Sequence, residues 1–297
     1  MPAQVLISGA SGLIGSALLP ALQSNGYQVT RLVRGAASGK SDIAWDPARP
    51  LAPESVSGFD AVIHLAGESI VGRWTDAKKR RVRESRAQGT RNLAEALAAT
   101  PQRPRVFISA SAIGFYGDRG EETLREESSP GSGFLPEVCR EWEAAAEPAA
   151  KAGIRTAQMR FGVVLSASGG ALGKMLPPFR MGVGGIVGRG RQWMSWIDID
   201  DVVGAIQHAM KIDALRGPVN VVGPKPVRNA EFTKTLASVL SRPAIFPMPA
   251  FAARLVFGQM ADELLLASQR VGPVKLMARG YVFRQPELRP ALENILG

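Results

Sequence analysis

The chain has 297 residues, 45% of them hydrophobic, a net charge of +10 and a single cysteine, Cys139. That length allows one large core, or a core with a small lobe. One cysteine excludes an internal disulfide, His64 and His208 stand too far apart to suggest a zinc site, and no apolar run reaches the ~18 residues of a membrane span. A soluble, metal-free, cytoplasmic protein is the expectation.

In chain order, residues 3–9 (AQVLISG) predict a short buried strand and 13–26 a helix closed by Gly26. A strand follows at 27–34, then another at 59–67 (FDAVIHLAG), whose unbroken apolar run suits burial on both faces. Residues 84–100 predict a helix stopped before Pro101, and 105–111 (RVFISAS) a strand. The helix at 134–153 is kinked or split by Pro148, and 155–165 is a further strand. Residues 166–192 are rich in Gly and Pro and read as loops with short elements. Residues 193–210 return to strand and helix, 218–223 form one more strand, and the chain is mostly helical from Pro224. This alternation predicts an α/β fold. It is a Rossmann-like, doubly wound parallel sheet over 1–165, with 193–223 returning to it, and a small, mostly helical C-terminal substrate lobe from 166–192 and 224–297.

The excess charge is local. Residues 73–91 carry eight basic and two acidic side chains, whereas 118–147 carry nine acidic and three basic. The basic run reads as a solvated helix face, and no zinc-knuckle spacing or aromatic RNA-binding strand points to a nucleic-acid partner.

Gly9, Gly12 and Gly15 in LISGASGLIG (6–15) occupy the first strand–helix junction. At that spacing Gly9 allows the tight turn, Gly12 lets a pyrophosphate approach the backbone, and Gly15 lets the helix pack on the strand. The phosphates would meet free N–H groups at the positive end of the helix dipole. An NAD site places an acid at the end of the second strand for the ribose 2′-hydroxyl, whereas an NADP site offers arginine. Here no acid lies between Tyr27 and Lys40, and Arg31 and Arg34 are available, Arg34 the better placed just past the strand end. The predicted cofactor is NADP(H).

GASGLIG, HLAG (64–67), GTRNLAEAL (89–97) and SASAIGFYGD (109–118), in this order, resemble the short-chain dehydrogenase/reductase superfamily in its extended branch of nucleotide-sugar epimerases and dehydratases. CREWEAAA (139–146), WMSWIDIDDVV (193–203) and LLLASQRVGPVKLMARGYVFR (264–284) resemble an atypical subgroup, the epimerase family proteins, which end in a small domain of unknown function. The resemblance covers essentially the whole chain. It implies a seven-stranded cofactor fold whose C-terminal part builds a substrate lobe over the nicotinamide. It also implies phosphate contacts from Ser11, Gly12, Leu13 and Ile14, and backbone contacts along the adenosine and diphosphate from Leu65, Ala66 and Gly67. Ser109 to Ser111 would lie beside the nicotinamide ribose, and Gly162 and Val163 near the carboxamide. His64, inside a buried strand, reads as packing.

One part of the family pattern is missing. The superfamily's Tyr-x-x-x-Lys pair lies on the helix after the strand at 105–111: the tyrosine is the acid/base, and the lysine lowers its pKa and holds the nicotinamide ribose. If Glu143 is aligned with the acid that usually follows the lysine by four, Cys139 stands in the lysine position and Leu135 in the tyrosine position. None of Tyr27, Tyr116 and Tyr281 has a lysine four residues on. Ser111 keeps the serine position. Tyr116 is the first candidate for a substitute acid/base, ahead of Glu68, Glu137 and Cys139, and the expected catalytic residues are Ser111 and Tyr116. Three readings stay open: an oxidoreductase or epimerase with a substitute acid/base, an NADP(H)-binding regulatory protein with weak or no catalysis, and a structural or nucleic-acid-associated protein. Lys174 and GRGRQW (188–193) offer cations to an anionic small-molecule substrate such as a nucleotide sugar, or simply solvate a loop.

Overall fold

Short apolar runs form a seven-stranded parallel sheet in the structure, a computed structural model that describes residues 3–37, 39 and 41–297. The strands are β1 (Gln4–Ser8), β2 (Gln28–Arg34), β3 (Asp42–Trp45), β4 (Ala61–His64), β5 (Val106–Ala112), β6 (Arg155–Phe161) and β7 (Gly217–Val221), in the spatial order β3-β2-β1-β4-β5-β6-β7. Side chains alternate between the two faces. Val5, Ile7, Ile63 and Ile108 enter one core, and Leu6, Val62 and Phe107 enter the other. The first core is closed by α1 (Leu13–Ser24) and α5 (Ile199–Lys211); the second is closed by α2 (Asp76–Ala99) and the short helix Glu147–Lys151.

Several boundaries differ from the sequence reading for local reasons. The strand predicted at 59–67 ends at His64, and Leu65–Gly67 leave the sheet as a loop. α2 begins eight residues before the predicted start at 84, because Thr75 caps it by accepting from the Lys78 N–H at 3.3 Å. The helix at 134–153 splits at Ala146 into α3 (Phe134–Ala145) and Glu147–Lys151, with Pro148 in the first turn of the second piece. The strand at 155–165 breaks at Gly162, and Val163–Leu165 pair with Trp196–Asp198 in a separate ribbon. β3 was not anticipated; four residues with one charged end give little periodic signal.

Residues 166–192 contain a helix, α4 (Gly170–Arg180), where loops were expected. Its apolar face of Leu172, Leu176 and Phe179 is buried with residues from α6 (Asn229–Val239) and α8 (Leu288–Leu296). These helices share a third core. α7 (Ala250–Phe257) lies between them in sequence and exposes Phe251, Leu255 and Val256.

The C-terminal chain then returns to the sheet. Arg270–Val271 pair in parallel with Thr123–Leu124. The Val271 N–H donates to Ser195 Oγ at 2.9 Å, Asn220 Nδ2 donates to the Gly272 carbonyl at 3.0 Å, and the Lys275 N–H donates to Glu126 Oε1 at 3.0 Å.

Candidate cofactor-binding and active site

The strand order reverses between β1 and β4, and the loops after these strands meet there. Gly9 has φ +72°, and a Cβ on it would lie 2.7 Å from the Ala66 nitrogen. A Cβ on Gly15 would lie 2.2 Å from the Gly9 carbonyl oxygen. These two glycines therefore hold β1, α1 and the Leu65–Gly67 loop together. Gly12 does something else. Its backbone is extended, it is exposed, and a Cβ on it would meet only the Gly9 oxygen, at 3.3 Å. The space above Gly12 opens on the start of α1, which has no side-chain cap. The first-turn N–H groups, including Leu13 and Ile14, have no carbonyl one turn behind them. Ser11 is exposed beside them, so these N–H groups are open to acceptors from outside the chain.

The two arginines of β2 divide their tasks. Arg31 is committed to Asp42, donating from Nε at 2.7 Å and Nη2 at 2.9 Å, a pairing that raises its pKa. Two of its three nitrogens are thereby engaged, while the side chain stays partly exposed. Arg34 is exposed at the strand end and, with Gly35, Ala44, Trp45, Asp46 and Pro47, lines a cleft of about 600 Å³. Asp46 in that cleft accepts from the Ala48 N–H at 3.0 Å and pairs with Arg49 at 3.4 Å.

In β5, Ser109 at the middle of the strand and Ser111 near its end are both buried. Ser111 Oγ donates to Glu143 Oε1 at 2.7 Å, so its lone pairs remain for a donor. Glu143 on α3 is gripped by Arg160 of β6, from Nε at 2.7 Å and Nη2 at 2.8 Å. Burial opposes the Arg160 charge, and the Glu143 carboxylate more than answers it. Arg160 Nη1 also donates to the Tyr116 hydroxyl at 2.9 Å.

That contact corrects the expectation for Tyr116. The ring is fully buried, and its hydroxyl lies 2.7 Å from Asn220 Oδ1 and 2.9 Å from the Arg125 carbonyl, besides accepting from Arg160. Burial pushes the phenol above its ordinary pKa. A hydroxyl so placed braces the sheet against the 113–126 segment and has no free face for a substrate.

The weaker substitutes are also accounted for. Cys139 is buried, and its thiol is pushed up to about 12, chiefly by burial, so it stays protonated at neutral pH. Glu137 pairs with Arg83 at 3.1 Å. Glu68 pairs with Lys78 at 2.7 Å, and that hydrogen bond holds its carboxyl below the usual range. His64 is neutral: burial takes its pKa down to about 4, and Nδ1 lies 2.6 Å from Ser8 Oγ.

Gly162 and Val163 lie beyond β6 with their N–H groups committed, to the Val221 carbonyl at 3.0 Å and the Ser195 carbonyl at 2.9 Å. A Cβ on Gly162 would come within 2.5 Å of the Ser195 oxygen, so packing alone demands glycine there. Sequence reasoning missed the Glu143–Arg160 pair as a unit. Its signal was Arg160 itself, a charge one residue from the end of a mostly buried strand.

A parallel sheet reversing beside a glycine turn, with helices on both faces, defines a Rossmann-like α/β protein. Residues 5–223 match the family described as NAD dependent epimerase/dehydratase, and residues 248–295 match a domain of unknown function, DUF1731. The chain belongs to the NAD dependent epimerase/dehydratase family. It is 41% identical over 292 residues to the epimerase family protein Mb2239 of Mycobacterium bovis, across 98% of this chain and 96% of that one. It is also similar to the crystal structure of human epimerase family protein SDR39U1 with NADPH, at 36% identity and a TM-score of 0.91 over 98% of each chain. A nucleoside-diphosphate sugar epimerase from Corynebacterium glutamicum gives 41% identity and a TM-score of 0.84, covering 100% of this chain and 59% of that one.

Proposed function

We propose that this chain binds NADP(H) across the switch point and acts as an epimerase/dehydratase-like oxidoreductase on a small-molecule substrate such as a nucleotide sugar, without a tyrosine acid/base. The observation that carries the reading is Gly12, whose missing side chain leaves open space over an uncapped helix start. The residues fit the cofactor. Leu13 and Ile14 offer N–H groups to the pyrophosphate, and the Leu65–Gly67 backbone borders the same turn. Arg34 offers a guanidinium to the 2′-phosphate in a cleft whose acid, Asp46, already pairs with Arg49. When bound, the cofactor gives or takes a hydride at its nicotinamide. Ser111, held by Glu143, accepts from a substrate hydroxyl and orients it. Gly162 and Val163, just past the end of β6, and Ser109, within β5 opposite the last residue of β4, would flank the nicotinamide.

The enclosed Tyr116 and the protonated Cys139 favour a second reading of the same site, a cofactor-binding regulatory protein with slow or no turnover. The basic run on α2 is partly answered within the chain, where Arg83 contacts Glu137 and Glu141 of α3 at 3.1 Å each. That internal pairing supports a small molecule over nucleic acid as the partner. Among the described residues no helix is long and apolar enough to cross a membrane.

Calorimetric titration tests the cofactor assignment. NADPH should bind at least tenfold more tightly than NADH, about 1.4 kcal/mol. Arg34→Asp should abolish or reverse the preference. Equal affinities in the wild-type chain would overturn the assignment.

A further inference from the structure

The helical lobe carries a group of apolar side chains that the chain itself does not cover. Ile245 is 71% exposed, Phe246 57%, Met181 70%, Phe251 72% and Leu255 77%. They belong to neighbouring segments. The Phe246 N–H donates to the Gly184 carbonyl at 3.3 Å and the Met248 N–H to the Ile186 carbonyl at 2.8 Å, so residues 181–187 run beside 243–248. α7 begins two residues after Met248, and Phe251 and Leu255, four apart, share one side of it. With Val183 and Val256, these side chains offer roughly 700 Å² of apolar surface. That exceeds the ~300–600 Å² of the largest apolar patch on an ordinary monomer and approaches the ~800 Å² that each partner buries in a stable interface.

The relief of this surface suits a copy of itself. Beside the projecting residues lies a depression of about 630 Å³, walled by Arg180, Val239, Leu240, Arg242, Glu293 and Leu296. Arg180 directly precedes Met181, and Arg242 stands three residues before Ile245, so hollow and projection share an edge. Arg242 Nε donates to the Arg180 carbonyl at 3.1 Å, which ties that edge together. In a two-fold pair the projection of each copy meets the hollow of the other, and both contacts form at once when the two features adjoin. Val239, Leu240 and Leu296 match Ile245 and Phe246 in character, and Glu293 is opposite in sign to the Arg180 and Arg242 of a second copy. Arg254, the cation among the exposed α7 residues, is already paired with Asp262 at 2.8 Å. Charges of both signs at this face favour protein over an acidic lipid surface, which selects for cations alone.

We propose that this face of the lobe is a homodimer interface, in which Ile245 and Phe246 of each copy seat in the hollow between the ends of α4, α6 and α8 of the other. Phe251 and Leu255 extend the contact. The Gly188 N–H donates to the Met248 carbonyl at 2.8 Å, so the interface backs directly onto the 188–193 loop.

Sedimentation equilibrium and light scattering on the full chain, over about 1–100 μM, test the proposal. The wild type should be a dimer with a dissociation constant in the micromolar range or tighter, and no larger species should form. Phe246→Asp, in the projection, and Leu255→Asp, on α7, should each weaken the dimer about thirtyfold or more, and Glu293→Arg, in the wall of the hollow, about tenfold. Circular dichroism melts check that each variant folds; should Phe246→Asp fail to, Leu255→Asp decides by the same criterion. A wild type that stays monomeric throughout, a dimer that survives both aspartate substitutions, or an open-ended ladder of oligomers would overturn the proposal. So would a monomer that binds phosphatidylglycerol vesicles and loses them in the same variants, since lipid would then be the occupant.

Discussion

The Tyr281 hydroxyl donates to Asp201 Oδ1 at 2.9 Å, joining residues 80 positions apart in the sequence. Asp201 lies in the first turn of α5 and is buried. It also accepts from the N–H groups of Arg284 at 2.8 Å and Gln285 at 3.0 Å. One carboxylate thus fastens the 281–285 segment to the sheet domain. Asp201→Ala leaves the N–H groups of Arg284 and Gln285 without an acceptor, the Tyr281 hydroxyl keeping the residue 201 carbonyl at 3.0 Å, and should cost about 2–4 kcal/mol of unfolding free energy. Urea denaturation measures the loss, and limited proteolysis should cut first near residues 279–285. A stability change under about 0.5 kcal/mol would show that the latch contributes nothing.

The three glycines of the turn should separate binding from folding. Gly12→Val puts two methyl groups into the open space over α1, so NADPH binding should be lost while the unfolding midpoint stays near the wild type. Gly15→Ala drives a Cβ into the Gly9 carbonyl and should destabilise the fold itself. Circular dichroism melts beside calorimetric titrations distinguish the two outcomes. A Gly12→Val protein that binds NADPH normally would move the phosphate site elsewhere.

Ser111 and Tyr116 should also part company. Tyr116→Phe removes a hydroxyl that Arg160, Asn220 and the Arg125 carbonyl share, at a cost of about 1–3 kcal/mol, with NADPH affinity unchanged. Ser111→Ala should depress turnover, followed by NADPH absorbance across a panel of nucleotide sugars and simple carbonyls, without weakening cofactor binding. Wild-type turnover on ordinary carbonyls and alcohols should be slight, because a positioned acid/base typically supplies ~10²–10⁴ in rate. Fast turnover that vanishes in Tyr116→Phe, with stability intact, would restore that residue as the acid.

His64 sets a pH dependence. Burial takes its pKa from 6.5 to about 4, so between these values the unfolded chain binds the proton that the folded chain refuses. Its contribution is present above pH ~6.5 and is lost as pH falls toward 4, up to about 3 kcal/mol. Asp198 works in the opposite sense: burial raises its carboxyl to about 6, so its contribution is lost as pH rises through that value. Asp198→Asn, which keeps an N-cap for α5, should therefore steepen the loss of stability on acidification. Proton NMR should find the His64 ring neutral down to about pH 5. A titration near 6.5 would refute the burial argument.

The elements that position the site were legible where pattern and chemistry agreed. The glycine turn, the buried strands around it and the cationic end of β2 each carry a local signal, and the structure gathers them at one reversal of strand order. What stayed hidden depends on partners distant in sequence. Arg31 and Arg34 look alike along the chain, and only the pairing of β2 with β3 brings Asp42 to the first and not the second. Tyr116 lies next to the serine strand in sequence, but Asn220 and Arg160 close over its hydroxyl from other strands. Arg86 is one of eight bases in a run, and nothing local marks it as the one that packs on Trp142 and against Gly67. α4 was obscured because Pro177 and Pro178 fall in its last turn, between Leu176 and Phe179 of its buried face.

The return of the C-terminal chain also bears on how the protein comes into being. As the chain leaves the ribosome, Glu126, Ser195, Asp201 and Asn220 emerge long before Val271, Lys275, Tyr281 and Arg284, the residues that satisfy them. A nascent chain that stops at Gly223 therefore holds a nearly complete sheet with several polar groups still waiting for their partners. The segments matched by the two family models share these buried hydrogen bonds and are expected to mature together. The sheet settles into its final form only when the tail arrives, and the two should melt together in one transition.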